Sequence, residues 1–242
     1  MTRVLVPVEI LEGKTVSPGL MSLLVTVDVT VLGYHVLPEQ TPPDQARHQY
    51  EERATEALED LSEEFRTAGG KADYRLVFTH HREQTVDRIA DEVGARAIAI
   101  SGVTGDVDRL LVSLSGDVAA DRILSFIEEL IGNRDIGATL LSAGDSADDN
   151  SESGMRGDDR LDAAAKRLRD GGLDVRTERV PNETPFDALV GLLPGHDAVV
   201  MGEKAPSFRS FVFDDETDRV ASASVGPVIA VRYDPSLDGE RE

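Results

Sequence analysis

Residues 197–232 read DAVVMGEKAPSFRSFVFDDETDRVASASVGPVIAVR, and the fold of the chain is decided by this stretch. Its two continuous apolar runs, Ala198–Met201 and Val228–Val231, are too short for helices and read as strands buried on both faces. Between them a loop with Pro206 leads into 214–224, where Thr217, Val220 and Ala223 stand at helical spacing. Strand, loop, helix and strand with both strands buried imply a parallel sheet and a crossover. In such sheets a ligand sits beyond the carboxyl ends of the strands, which directs attention to the loop after Met201.

Working outward, the same unit is read twice. Arg3–Glu9 and Arg109–Ser115 are matching first strands. Ser17 and Pro18 cap and start a short helix to about Leu24, whose longer counterpart is Val118–Ile131. Second strands are expected at Val29–Val36 and Ala138–Leu141. Amphipathic helices follow, with the stripes Ala54, Ala57, Leu58, Leu61, Phe65 and Leu161, Ala164, Ala165, Leu168. Each ends in a glycine pair, Gly69-Gly70 and Gly171-Gly172, the mark of a left-handed cap. Third strands are expected at Tyr74–Phe78 and Val175–Val180. From Val86/Phe186 through Ile98/Ala198 to Gly102/Gly202 the two copies match at a constant spacing of one hundred residues.

The first copy stops at Gly102 and runs through Val103–Asp108 into the first strand of the second, so it lacks a last helix and strand. A rival division gives it Asp117–Ile131 and Ala138–Ala143 instead. The resulting expectation is an α/β chain of two Rossmann-like parallel sheets in tandem, residues 1–106 (truncated) and 107–235, with a polar tail at 236–242. Asp145–Gly157 reads as a surface loop. Because Ala97–Ser101 would have no fifth strand of its own, Val228–Val231 is expected to cover it, within the chain or across a homodimer.

Forty per cent of the 242 residues are hydrophobic, enough for two buried sheets. Cysteine is absent, which excludes disulfides, thiolate catalysis and cysteine metal sites. Acidic residues outnumber basic ones 46 to 25, the net charge is −21, and the only lysines are Lys14, Lys71, Lys166 and Lys204. A carboxylate-rich, lysine-poor surface suits concentrated salt, where self-repulsion is screened within a few ångströms. Nucleic acid and anionic membrane surfaces are poor partners on the same grounds, so no nucleic acid and no membrane insertion are expected. The apolar stretch Gly19–Leu37 carries Asp28 and His35 and reads as helix plus strand, not a membrane span. Met1-Thr2-Arg3-Val4 leads straight into a strand pattern with no signal peptide, so a halophilic, cytoplasmic protein is expected.

The pattern ending in Val225-Gly226-Pro227-Val228-Ile229-Ala230-Val231 resembles the end of a universal stress protein domain, of the tandem-domain, halophilic-archaeal type. ATP-binding members of that family carry Gly-x2-Gly-x9-Gly-Ser/Thr here, a turn and helix N-terminus that cradle phosphates. Gly202 fits this motif, but Ala205 and Asp215-Glu216 replace the rest, and two carboxylates would repel a triphosphate. The resemblance also implies an adenine-contacting aspartate at the end of the first strand, where Glu9 and Ser115 stand. At the end of the second strand it implies a residue packing on adenine, where Val36 stands. Gly102-x2-Gly105 matches the front half of the phosphate motif. Glu9, Val36, Gly102 and Gly105 are therefore the cofactor-binding candidates if the first copy binds nucleotide.

Other motifs read as ordinary structure. Ser115-Gly116-Asp117 reads as a helix cap rather than the pyrophosphate loop of related pyrophosphatases, and Gly69-Gly70-Lys71 as a cap rather than a phosphate loop. His80-His81 with Glu83 reads as loop rather than metal site. His35, His48 and His196 have no nucleophile beside them. The expectation is a non-enzymatic stress or regulatory module without cofactor, acting through contacts with a protein, such as a regulated transporter or enzyme. The alternatives are an ATP or AMP sensor using the first copy, and an enzyme of the same superfamily. Repulsion at −21 predicts that the thermal midpoint rises by about 10 °C or more between low and multimolar potassium chloride. Differential scanning calorimetry across that range checks it, and a flat midpoint would refute the halophilic reading.

Overall fold

The structure, a computed structural model, describes residues 2–115, 120–144, 157–203 and 226–233. Its strands are β1 (Arg3–Glu9), β2 (Asp28–Val36), β3 (Lys71–Thr79), β4 (Ala97–Ile100), β5 (Arg109–Ser113), β6 (Gly137–Ala143), β7 (Val175–Val180), β8 (Ala198–Gly202) and β9 (Val228–Val231). They form one nine-stranded sheet in the order β3-β2-β1-β4-β9-β8-β5-β6-β7, not the two separate parallel sheets expected from the sequence, because β9 pairs with both β4 and β8. Every pairing is parallel except β4 with β9. The helices are α1 (Pro18–Leu23), α2 (Pro43–Thr67), α3 (Arg82–Glu92), α4 (Ala120–Ile131), α5 (Gly157–Asp170) and α6 (Pro185–Leu192). Parallel neighbours need such crossovers, and helices on both faces explain why β1 and β8 are apolar without alternation.

Local chemistry fixes the helix ends. The Ser17 hydroxyl accepts the Leu20 amide at the start of α1, with Pro18 at its first position. The stripes on α2 and α5 are buried at Ala54, Leu58, Leu61, Phe65 and at Leu161, Ala164, Ala165, Leu168. Gly69 and Gly172 take φ of 97° and 90°, and the next amides, Gly70 and Leu173, reach back to the carbonyls of Phe65 and Leu168. The helix expected over 214–224, the start of α4 at 118–119 and nearly all of the Asp145–Gly157 loop lie outside the described residues. Gly157 itself opens α5.

Strand β6 lies between β5 and β7 and does not pair with β4, the pairing that the rival division calls for. The constant spacing of one hundred also fails at the fourth strands. Val4 of β1 faces Ala97, whereas Leu110, its counterpart in β5, faces Ala198. Ala97 therefore corresponds to Ala198, Ser101 to Gly202 and Gly102 to Glu203, one residue away from the sequence match. The faces agree: Ala97, Ala99, Ala198 and Val200 share one core, while Ile98 and Val199 lie on the other side. A one-residue slip would exchange those faces.

Strand β9 lies between β4 and β8, pairing Ile229 with Ala99 on one side and Val200 on the other. The cover that the apolar edge at Ala97–Ser101 requires is thus made within the chain. On one side of the sheet a single core runs from Val4 and Leu20 through Leu24 to Ile127, Leu130 and Leu168. On the other side the core is in separate pieces, one under α3 and one under α6.

Polar contacts reinforce the continuous side. Arg96 donates to Thr2 at 2.7 Å and to Glu129 at 2.8 Å, and the Thr2 hydroxyl also donates to Glu129. Burial pushes the Glu129 carboxyl up, but the bonds from Thr2 and Arg96 outweigh it and hold the pKa below the usual carboxylate value. A depressed carboxyl stabilises the fold above its unfolded pKa and loses that contribution as pH falls through the folded value. Acid unfolding of Glu129→Gln should therefore show a shallower loss of stability below pH 4.5 than the parent. Ile229→Lys, which places an ammonium in the centre of the sheet, should cost at least about 3 kcal/mol in urea unfolding or yield aggregates. An unchanged melting curve would contradict the central position of β9.

Candidate functional site

The four candidate residues stand at one edge, where the carboxyl ends of β2, β1 and β4 lie in that order. Glu9 ends β1 opposite Tyr34 in register. A 3-10 turn over Ile10–Glu12 follows it, burying Ile10 and closing at Gly13, which brings Lys14 back over the strand end. The Lys14 ammonium lies 3.0 Å from the Glu9 carboxylate and 3.0 Å from that of Glu12. Glu9 thus already has a cation against it.

Val36 ends β2 and is about one-third exposed, at 37%. Next to it the Leu37 amide donates to the Thr79 carbonyl, and His80 Nδ1 donates to the Leu37 carbonyl at 3.2 Å. Gly102 follows β4, and the hydroxyl of Ser101 before it accepts the Ser17 amide at 3.0 Å. The chain then runs over the start of α1. A Cβ built on Gly19 would lie 1.8 Å from the Gly105 carbonyl oxygen and 2.6 Å from Thr104 Cγ2. Gly19 is glycine because this backbone rests on it. Gly105 itself has open space where a Cβ would go. Val36 and Glu9 therefore share an edge with Gly102 and Gly105, but the glycine pair is fastened to α1.

In the second half, Ser115 occupies the place of Glu9, and its buried hydroxyl accepts the Ala143 amide at 2.8 Å, tying the end of β5 to β6. Gly202 ends β8 buried, and Glu203 follows, its amide donating to Val231 and its carboxylate lying 3.3 Å from Arg232 Nε. Gly116, Asp117, Ala205, Asp215 and Glu216 lie outside the described residues.

The remaining candidates fall into structural places. Gly69-Gly70-Lys71 caps α2 and opens β3. His81 is the residue before α3, and no group of three metal-ligating side chains occurs among the described residues. His35 sits edge-on to Tyr50 and Phe78. His196 spans the Leu192 carbonyl and the Thr139 hydroxyl at 2.6 and 2.8 Å. Sequence reading missed Arg82, whose guanidinium lies 5.4 Å from the centre of the Tyr34 ring beside the Glu9 end of the sheet. Only the parallel register brings these residues near one another, so no local motif could have announced it.

No family model matches this sequence, and neither does any curated protein. Among solved structures the chain is similar to the crystal structure of a universal stress protein from Archaeoglobus fulgidus, with 97% of each chain covered, a TM-score of 0.61 and 15% identity. The chain has the universal stress protein fold. No described helix is long and apolar enough to cross a membrane.

The packing of 102–105 on α1 gives a paired expectation. Gly19→Ala should destabilise the protein by about 1–3 kcal/mol, because a methyl group collides with backbone. Gly105→Ala should change stability by less than about 0.5 kcal/mol. Equal effects in thermal melts would show that the two segments do not meet as described.

Proposed function

We propose that the chain is a tandem universal stress protein of the kind that binds no ATP, a non-enzymatic stress or regulatory module acting through protein contacts. The observation carrying this reading is the Lys14–Glu9 pair, which occupies the acid that would meet adenine. The seating of Thr104 and Gly105 on Gly19 supports it, because that backbone is engaged where a phosphate turn would have to stay open. In the second half the Ser115–Ala143 bond and the sequence Ala205, Asp215, Glu216 favour the same conclusion. The repeat of the strand order 3-2-1-4 on either side of β9 supports two units, 1–106 and 107–235. The charge balance supports a halophilic, cytoplasmic setting and a protein partner such as a transporter or enzyme under its control.

The competing reading is an adenine-nucleotide sensor using Glu9, Val36, Gly102 and Gly105. The exposure of Val36 at the strand end favours it. Isothermal calorimetry in concentrated salt separates the two: ATP and AMP should give no binding heat up to about 1 mM. Ala205→Gly with Asp215→Gly and Glu216→Ser should recover measurable ATP binding in the second half if only the motif was lost. Micromolar binding of ATP to the unaltered chain would establish the sensor instead.

A further inference from the structure

The two halves of the sheet are joined on one side by a continuous core and on the other by separate ones. On the continuous side, α1 and the 3-10 turn Leu24–Thr26 from the first half meet the end of α4 from the second. Both elements end there, and a helix end leaves carbonyl oxygens without intrahelical partners. Arg134, just beyond α4, takes up oxygens from both. Its Nη1 donates to the Ser22 carbonyl at 2.7 Å and its Nη2 to Leu23 at 2.8 Å. Its Nε donates to Ile131 at 3.1 Å, and Nη2 also donates to Leu130. The Thr26 hydroxyl adds a bond to the Leu130 carbonyl at 2.7 Å.

We propose that Arg134, by gripping the carbonyl ends of α1 and α4 together, is the latch that makes the two halves open and unfold as one cooperative unit. The guanidinium suits this task because its rigid fork presents donors in several directions at once, whereas an ammonium is a point charge on a flexible stem. Two converging helix C-termini also concentrate partial negative charge, which a fixed cation offsets. The acceptors are main-chain carbonyls rather than carboxylates, so the grip depends less on counter-charge than the ion pairs Arg96–Glu129 and Arg232–Asp91 do. On the split side β9, with four register pairs to β4, and Ile100, which packs against both core pieces, form a narrow hinge around which the two pieces could separate.

The test uses the full chain in concentrated salt, with hydrogen exchange read by mass spectrometry and urea unfolding read by circular dichroism. In the parent, peptides covering 20–26 and 128–132 should exchange with the slow opening of the β1 and β5 peptides, and urea should give a single transition. In Arg134→Met the urea curve should become biphasic, and the β1 and β5 peptides should differ in opening rate by at least about tenfold. Arg134→Lys, which keeps the charge but not the fork, should behave as the methionine variant does. Arg167→Met is the control: Arg167 joins α4 to α5 inside the second half through Glu128, Ser125 and Asp121. It should lower the midpoint while leaving one transition. A single transition of unchanged slope in Arg134→Met, or full cooperativity in Arg134→Lys, would overturn the proposal. Should Arg134→Met fail to fold, the parent decides: exchange at 20–26 and 128–132 far ahead of the strands would overturn it, and exchange with them would support it.

Discussion

A parallel sheet that ends at an apolar strand cannot leave that edge open to water or to another chain, and this constraint organises the molecule. The first half of the sheet ends at β4, whose Ala97, Ile98 and Ala99 are fully or almost fully buried. The strand that covers them comes from the far end of the chain and runs the opposite way. Antiparallel pairing lets β9 serve β8 as its parallel neighbour and β4 as its antiparallel one, so a four-residue strand completes both halves. The other exceptional features follow from that sharing: the short link 103–108, the seam between α1 and α4, and a core continuous on one side of the sheet only.

The same sharing bears on the strand ends of the first half. With no helix between β4 and β5, the chain after β4 has to turn at once, and it does so by resting on α1. The backbone of 104–105 is thereby engaged with Gly19 in making that turn. Glu9 meets a parallel fate, since the turn after β1 buries Ile10 and brings Lys14 onto the carboxylate.

Elements with a local cause were legible in the sequence. The Ser17-Pro18 cap, the glycine caps of α2 and α5 and the strands Val175–Val180 and Val228–Val231 appear where their residue types require. Register was not legible. In strands buried on both faces every position is apolar, so the alternation that fixes register in half-exposed strands is absent. Matching Gly102 to Gly202 satisfied residue identity, yet it set Ile98 against Ala198, which face opposite sides of the sheet. Of the candidate site, Glu9 and Val36 were placed correctly at strand ends, but the cation against Glu9 was not foreseen. Arg134 left no trace in the pattern at all, because its partners are carbonyl oxygens, which every residue has.

The distribution of cations gives the composition a structural meaning. Arg96, Arg109, Arg134, Arg167 and Arg232 each bridge elements that are distant in sequence, several with more than one acceptor. Lys166 pairs along its own helix, with Asp170, where both side chains are largely exposed. Screening in concentrated salt weakens pairs of the second kind far more than partly buried forks. A chain that carries so few lysines therefore gives up little cohesion, since its surface is left to carboxylates and its seams to guanidinium groups. Scarcity of lysine and reliance on arginine at the seams are then two sides of one arrangement: planar groups with several donors can join elements that are distant in sequence, which a single ammonium does less well.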